Sequence, residues 1–227
     1  MLRTSQYPLP SLPQDPNLPR TVVGAALNYR DVYDQLQPLM EDAPYKGAPK
    51  APVLYIKPAN TYAADGDAIT LPADIAELEI GACLGIVFGR KASRVSAEQA
   101  MSHVAGYRIV ADLYAPHDSL YRPAIKQRCR DGFCPMGPVI DARNITNPGQ
   151  LDIEVRIDGE VAQRANTTGL RRDIPTLIAD ISAFMSLDAG DVLLVGIPAG
   201  APRIRVGQRY EIHIAGAGSL SNSIVAG

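Results

Sequence analysis

The sequence predicts a mixed, β-dominated α+β fold, and three observations carry that expectation. Short apolar or alternating runs at 21–27, 53–56, 80–88, 107–113, 151–157, 192–195 and 210–214 are bounded by Gly, Pro, Asp and Asn, the pattern of strands closed by turns. Only two segments carry helical periodicity together with a start signal. No internal repeat and no linker interrupts the chain after its first twenty residues, so the expected organisation is an arm, 1–20, and one domain, 21–227.

The arm holds prolines at positions 8, 10, 13, 16 and 19, which deny it a regular hydrogen-bonded ladder and favour an extended, polyproline-like course. Two readings stand for it: a strap lying on the domain or on a neighbouring subunit, or a loose tail. The first helix is expected over 96–104, opened by Ser96 with Gln99 three residues later as a capping box. The second is expected over 173–187, opened by Asp173 with Pro175 in its first turn, and it buries Ile174, Leu177, Ile178, Ile181 and Phe184 at helical spacing. The run 187–191 (Leu-Asp-Ala-Gly-Asp) stops it, with Gly190 turning the chain into the next strand.

Composition excludes several classes of function. At 227 residues, 46% hydrophobic and a net charge of −2, the chain carries no basic excess that would suit nucleic acid or a membrane surface. No apolar run reaches the length of a membrane span, and the start, Met-Leu-Arg-Thr-Ser, lacks the apolar core of a signal peptide. Cys83, Cys129 and Cys134 are odd in number and lack metal-ligand spacing, so they read as buried thiols in a reducing, cytoplasmic setting.

Five segments carry the chemistry: 24–31 (Gly-Ala-Ala-Leu-Asn-Tyr-Arg-Asp), 55–58 (Tyr-Ile-Lys-Pro), 104–107 (Val-Ala-Gly-Tyr) leading to Asp112, 130–138 (Arg-Asp-Gly-Phe-Cys-Pro-Met-Gly-Pro) and 196–200 (Gly-Ile-Pro-Ala-Gly). In this order they resemble the fumarylacetoacetate hydrolase family. The stretch 121–135, with Asp-Ala-Pro-Tyr-Lys at 42–46 upstream, resembles the N-terminal half of the family branch that degrades 4-hydroxyphenylacetate. The resemblance implies the family's β-roll with two main helices. It also implies a small di- or tricarboxylate as substrate, with decarboxylation of 5-oxopent-3-ene-1,2,5-tricarboxylate and isomerisation of 2-hydroxyhepta-2,4-diene-1,7-dioate. A homo-oligomer, or a hetero-oligomer with a metal-bearing paralogue, is the implied assembly.

Family members hold a divalent metal with a Glu-x-Glu pair and a later Asp, because hard cations take carboxylate oxygens. Two registers are open. One puts Glu77, Glu79 and Asp112 in the metal positions, with Mg or Mn as the ion. The other runs without a gap from Gly89 to Asp112 and puts Gly81 and Cys83 where the pair would be; we read the chain this way, and it then holds no metal of its own. Other positions agree. The family's His and Glu acid/base pair falls at Val32 and Gln35, the threonine of its Gly-Thr-Pro turn is Ile197, and its lysine before Arg-Asp-Gly is Arg128, which stays charged and cannot serve as a base.

What remains is cationic. Lys57, Arg122, Lys126, Arg128 and Arg130 lie in or beside the motifs, and guanidinium forks match carboxylates in a bidentate way. Lys57, Arg128, Arg130 and Asp131 are the candidate substrate-binding residues, although 126–130 also suits a solvated basic loop and Asp131 a brace for the turn at Gly132. Asp112 reads as a strand-end aspartate bonding backbone amides. Of the histidines, His103 and His213 have no ligand partner at usable spacing, while His117 lies near the motif loops. No Gly-x-Ser-x-Gly turn supports a nucleophile. Two functions are therefore open: an enzyme subunit of that branch, or a non-catalytic relative that supports a metal-bearing partner.

Overall fold

The computed structural model describes residues 19–117 and 123–227. The arm, apart from Pro19 and Arg20, lies outside the described residues, and so does Arg122.

Two long strands, Leu78–Phe88 and Val104–Tyr114, pair antiparallel at the centre of the larger sheet and are buried along nearly their whole length. Continuous rather than alternating burial means that both faces are covered. Outward from Leu78–Phe88 come Val192–Leu194, then Val22–Ala26 parallel to it, then Val53–Lys57 at the edge. On the other side Val104–Tyr114 meets Cys134–Met136, which pairs in parallel with Tyr62–Ala64. A second sheet runs Glu160–Asn166, Asp152–Ile157, Arg209–Ile214, Gly218–Ala226 and Ala68–Leu71. Its strand Arg209–Ile214 alternates strictly between exposed and buried positions, so one face is wet and the other packs inward. Ile69, Ile109, Phe133 and Leu220 belong to one hydrophobic core shared by the two sheets.

The seven expected strand segments all fall on observed strands, and the chain is the β-dominated α+β protein that its sequence predicts. The helices differ. The longest, Arg30–Met40, was not expected: Tyr33 and Met40 are buried on one face, but Pro38 near its end masks the pattern. The expected helix at 96–104 is a single turn, Ala97–Ala100, continued by a 3-10 turn, Met101–His103, and the Ser96 side chain makes no capping bond because the carbonyl of Ser96 takes the Gln99 amide instead. The second helix spans Ile174–Ser182, and Asp173 caps it by accepting from the Thr176 amide at 2.9 Å. Phe184 lies beyond its end and is 67% exposed, not buried.

Strand direction positions the site. Val22–Ala26 and Val192–Leu194 run parallel and release the segments 28–31 and 196–200 at the same edge, where Leu78–Phe88 begins and Val104–Tyr114 ends. Buried Asn28 fastens this edge: its side-chain amide donates to the Val195 carbonyl at 2.8 Å and the Arg172 carbonyl at 3.2 Å and accepts from the Arg172 amide at 3.0 Å. Asp31 accepts from the Ala199 amide at 3.3 Å and ties the start of the long helix to the 196–200 turn.

Leu177 is fully buried, so Leu177→Ala is expected to cost roughly 2–5 kcal/mol, whereas Phe184→Ala stays within about 0.5 kcal/mol of the parent. Denaturant unfolding of the two variants checks the contrast.

Candidate active site

A cavity of about 480 Å³ opens at the edge where these elements converge. Ala26, Leu36 and the 197–201 turn form its walls, and Tyr55, Tyr114 and Arg128 line its depth. Beneath lies Asp112, fully buried, which accepts from Lys57 Nζ at 2.9 Å, from Arg128 Nη1 at 2.9 Å and from the Tyr55 hydroxyl. Lys57 is equally buried and uses its two other protons on the carbonyls of Leu113 at 3.1 Å and Arg128 at 2.6 Å. Arg128 is stacked, with its guanidinium carbon 4.9 Å from the Tyr55 ring centroid and 4.0 Å from that of Tyr114. Tyr55 can lie here because Gly24, its cross-strand neighbour, has no side chain: a Cβ on Gly24 would stand 2.1 Å from the ring.

Charge follows from this geometry. Burial pushes the Asp112 carboxyl up, but Lys57 and Arg128, with the Tyr55 hydrogen bond, outweigh it and hold the group below the ordinary carboxylate range. Burial first, and then the Asp112 charge, push the Tyr55 phenol well above its usual value, so it stays neutral. Two cations thus face one carboxylate, and the cavity floor carries one net positive charge, offered to the opening by Arg128 with 14% of its side chain exposed.

The divalent ion that the resemblance implies does not fit these residues. Asp112 stands directly across from Gly81, with Cys83 two positions along the same strand. A Cβ on Gly81 would meet Ile197 Cδ1 at 2.5 Å and the Asp112 carbonyl oxygen at 2.7 Å, so Ile197 fills the space a longer side chain would need. Burial pushes the Cys83 thiol up, and its Sγ donates to the Gly196 carbonyl at 3.0 Å, which leaves a neutral thiol rather than a thiolate ligand. In the other register, Glu77 pairs with Arg203 at 2.7 Å and Arg205 at 2.9 Å, and Glu79 with Arg203 at 3.3 Å. Both Asp112 oxygens are already occupied by Tyr55, Lys57 and Arg128. Among the described residues no three His, Cys, Asp or Glu side chains gather where they could hold a metal ion.

Of the four candidate binding residues, the structure brings Arg128 to the cavity. Lys57 lies underneath it, in contact with Asp112 and not with the opening. Arg130 turns away and grips Asp74 with two bonds of 2.7 and 2.8 Å, joined by Lys126 at 3.7 Å, and Asp131 accepts from the Asn60 side-chain amide at 2.7 Å on the surface. The run 126–130 is therefore not one anion site. Asp112 likewise bonds side chains, not backbone amides. Cys129 is half-buried rather than buried. Val32 and Gln35, where the resemblance implies an acid/base pair, do line the cavity, and so does His117, whose ring is 5.9 Å from Tyr114. Sequence reasoning missed Tyr55, Tyr114 and Arg203 as cavity residues, although Tyr55 opens one of the quoted motifs, and it offered Glu79 only as a metal ligand in the register not preferred.

Replacing Lys57 with Met removes one of the two cations that hold the buried Asp112 carboxylate, leaving Arg128 and Tyr55 on it, and the expected cost is roughly 3–5 kcal/mol. Because the native Asp112 carboxyl titrates below its unfolded value of about 4, its contribution is complete above that pH and is lost as pH falls through the lower native value. Thermal unfolding against pH should therefore show Lys57→Met losing its stability at a higher pH than the parent. Gly81→Glu should cost about 1–3 kcal/mol by overpacking against Ile197, and Ile197→Thr in the same chain should recover part of it, a coupling that a double-mutant cycle measures.

Comparison with known proteins agrees with this architecture. The chain is 37% identical over 205 residues to the 4-hydroxyphenylacetate degradation bifunctional isomerase/decarboxylase of Escherichia coli, an alignment that covers 90% of this chain and 47% of that protein. It therefore spans about half the length of the curated relatives it matches. Among solved structures, the 5-carboxymethyl-2-hydroxymuconate delta-isomerase of Mycobacterium smegmatis superposes with a TM-score of 0.79 at 30% identity, covering 92% of this chain and 80% of the other. The 2-hydroxyhepta-2,4-diene-1,7-dioate isomerase of Mycobacterium marinum superposes with a TM-score of 0.77 at 31% identity, covering 93% and 76%. The family model for the fumarylacetoacetate (FAA) hydrolase C-terminal region matches residues 21–225, nearly the whole of the described fold, and the chain belongs to the fumarylacetoacetate hydrolase family.

Proposed function

We propose that the chain is a subunit of a decarboxylase/isomerase of 4-hydroxyphenylacetate catabolism, acting on small di- or tricarboxylates related to 5-oxopent-3-ene-1,2,5-tricarboxylate and 2-hydroxyhepta-2,4-diene-1,7-dioate. The single observation that carries this reading is the net positive charge at the cavity floor. A buried excess cation calls for an anionic partner, and an arginine bonded to Asp112 and packed against the rings of Tyr55 and Tyr114 is already held in place for one. The names of the relatives support the substrate class.

Loss of CO2 sends the electron pair of the broken C–C bond into a dienolate, and isomerisation passes through the same type of anion. Charge in both develops on an oxygen beside a carboxylate. A fixed guanidinium in a partly dehydrated cavity stabilises that oxygen without reorganising when the reaction occurs. A second reading is favoured by Val32 and Gln35, which line the cavity and move no protons usefully: the chain serves as a non-catalytic partner of a metal-bearing paralogue. Assembly with a second copy or with such a paralogue belongs to either reading.

Calorimetric titration with a 2-oxo dicarboxylate tests the site. Binding should be seen with the parent and weaken by about 1.5–3 kcal/mol in Arg128→Ala. Decarboxylase activity of the chain alone should survive EDTA; no activity without a paralogue, with binding intact, supports the second reading. Absence of binding removes the enzymatic reading and leaves the non-catalytic one.

A further inference from the structure

We propose that Glu79 is the proton-transferring residue of this cavity. The inference rests on the reading above, since it assigns the step that Val32 and Gln35 leave unfilled. Among the described residues that line the cavity, Glu79 is the one carboxylate. It stands across the strand pair from Tyr114, with which it shares a side-chain hydrogen bond, and 20% of its side chain is exposed. Tyr114 in turn covers Arg128, its ring centroid 4.0 Å from the guanidinium carbon. One phenol ring therefore separates a carboxylate from the cation that faces the same space.

The neighbouring ion pairs leave Glu79 lightly held. Arg203 directs its Nη1 to Glu77 at 2.7 Å, Arg205 grips Glu77 at 2.9 and 3.2 Å, and what reaches Glu79 is the Nε of Arg203 at 3.3 Å. Glu77 thus takes most of the local positive charge, and the Glu79 carboxylate keeps accepting capacity toward the cavity. Tyr55 and Tyr114 are poor alternatives, because burial pushes both phenols up.

The step balances within the substrate. With the oxo oxygen of a 2-oxo acid against Arg128, Glu79 takes a proton from the adjacent carbon; the C–H pair becomes the C=C bond and the carbonyl pair moves onto oxygen as an enolate. The protonated Glu79 then returns the proton, to the same carbon or, in a dienolate, to the carbon two further along, which completes an isomerisation and restores the carboxylate.

Deuterium exchange at C3 of 2-oxoadipate in D2O, followed by NMR with the whole chain, tests this apart from overall turnover. Glu79→Gln should slow exchange by about 100-fold or more, while its calorimetric affinity for 2-oxoadipate stays within about threefold of the parent. In Glu79→Ala, added formate should restore part of the rate, a rescue that a merely structural role would not produce. If the parent exchanges and Glu79→Gln exchanges as fast, or if His117→Gln and not Glu79→Gln abolishes exchange, the assignment is overturned while the functional reading stands. A parent that binds without exchanging overturns the assignment and leaves the non-catalytic reading; a parent that does not bind overturns the functional reading itself.

Discussion

Asp112 and the three groups that close on it organise the working end of this protein. A carboxylate with no solvent access costs several kcal/mol to bury unless its lone pairs are filled, and here an ammonium, a guanidinium and a phenol fill them from two separate parts of the chain. Lys57 comes from an edge strand, Tyr55 from the same strand two residues earlier, and Arg128 from a one-turn helix whose carbonyl also accepts from Lys57. The central strand, the sheet edge and the 125–128 turn are therefore held together by one polar cluster inside an otherwise apolar core.

That cluster also bears on the positions where, in the gapless register, the resemblance implies a metal pair. Gly81 offers no ligand atom, Ile197 occupies the volume a side chain there would need, and Cys83 turns its thiol to a backbone carbonyl. The remaining acidic position, Asp112, is neutralised internally, and the second cation is left over. Positive charge at the cavity floor is thus carried by a side chain. A diffuse, planar guanidinium binds carboxylates and enolates more weakly than a divalent ion would, but its direction is set in advance by Asp112, Tyr55 and Tyr114.

The charged rim is a separate system. Glu77, Glu79, Arg203 and Arg205 form a partly exposed network in which individual pairs add little stability, so its importance lies in how it distributes charge at the cavity mouth. The same holds for Arg130 and Asp74 on the outer surface, which share no atoms with the cavity cluster. Two cations only two residues apart in sequence, Arg128 and Arg130, thus belong to different environments, one at the cavity and one on Asp74.

Much of this was legible in the amino-acid order. Alternating and continuous apolar runs located the strands, Asp173 marked its helix cap, the order of the five motifs identified the family, and Arg128 emerged as a cavity cation. Local pattern suffices there because strand periodicity and capping are properties of a few neighbouring residues. It failed where the deciding partner is remote or the pattern is interrupted. Pro38 obscured the Arg30–Met40 helix, and nothing near Phe184 indicates that its helix ends before it. The burial of Lys57 depends on a carboxylate 55 residues away, and the turn of Arg130 away from the cavity depends on Asp74, 56 residues before it. The pairing of Glu79 with Tyr114 and of Gly81 with Asp112 is a matter of cross-strand register. Local pattern set the strands, the Asp173 cap and the side chains on offer; tertiary packing settled which of them meet, because register and strand order join residues that no local spacing relates.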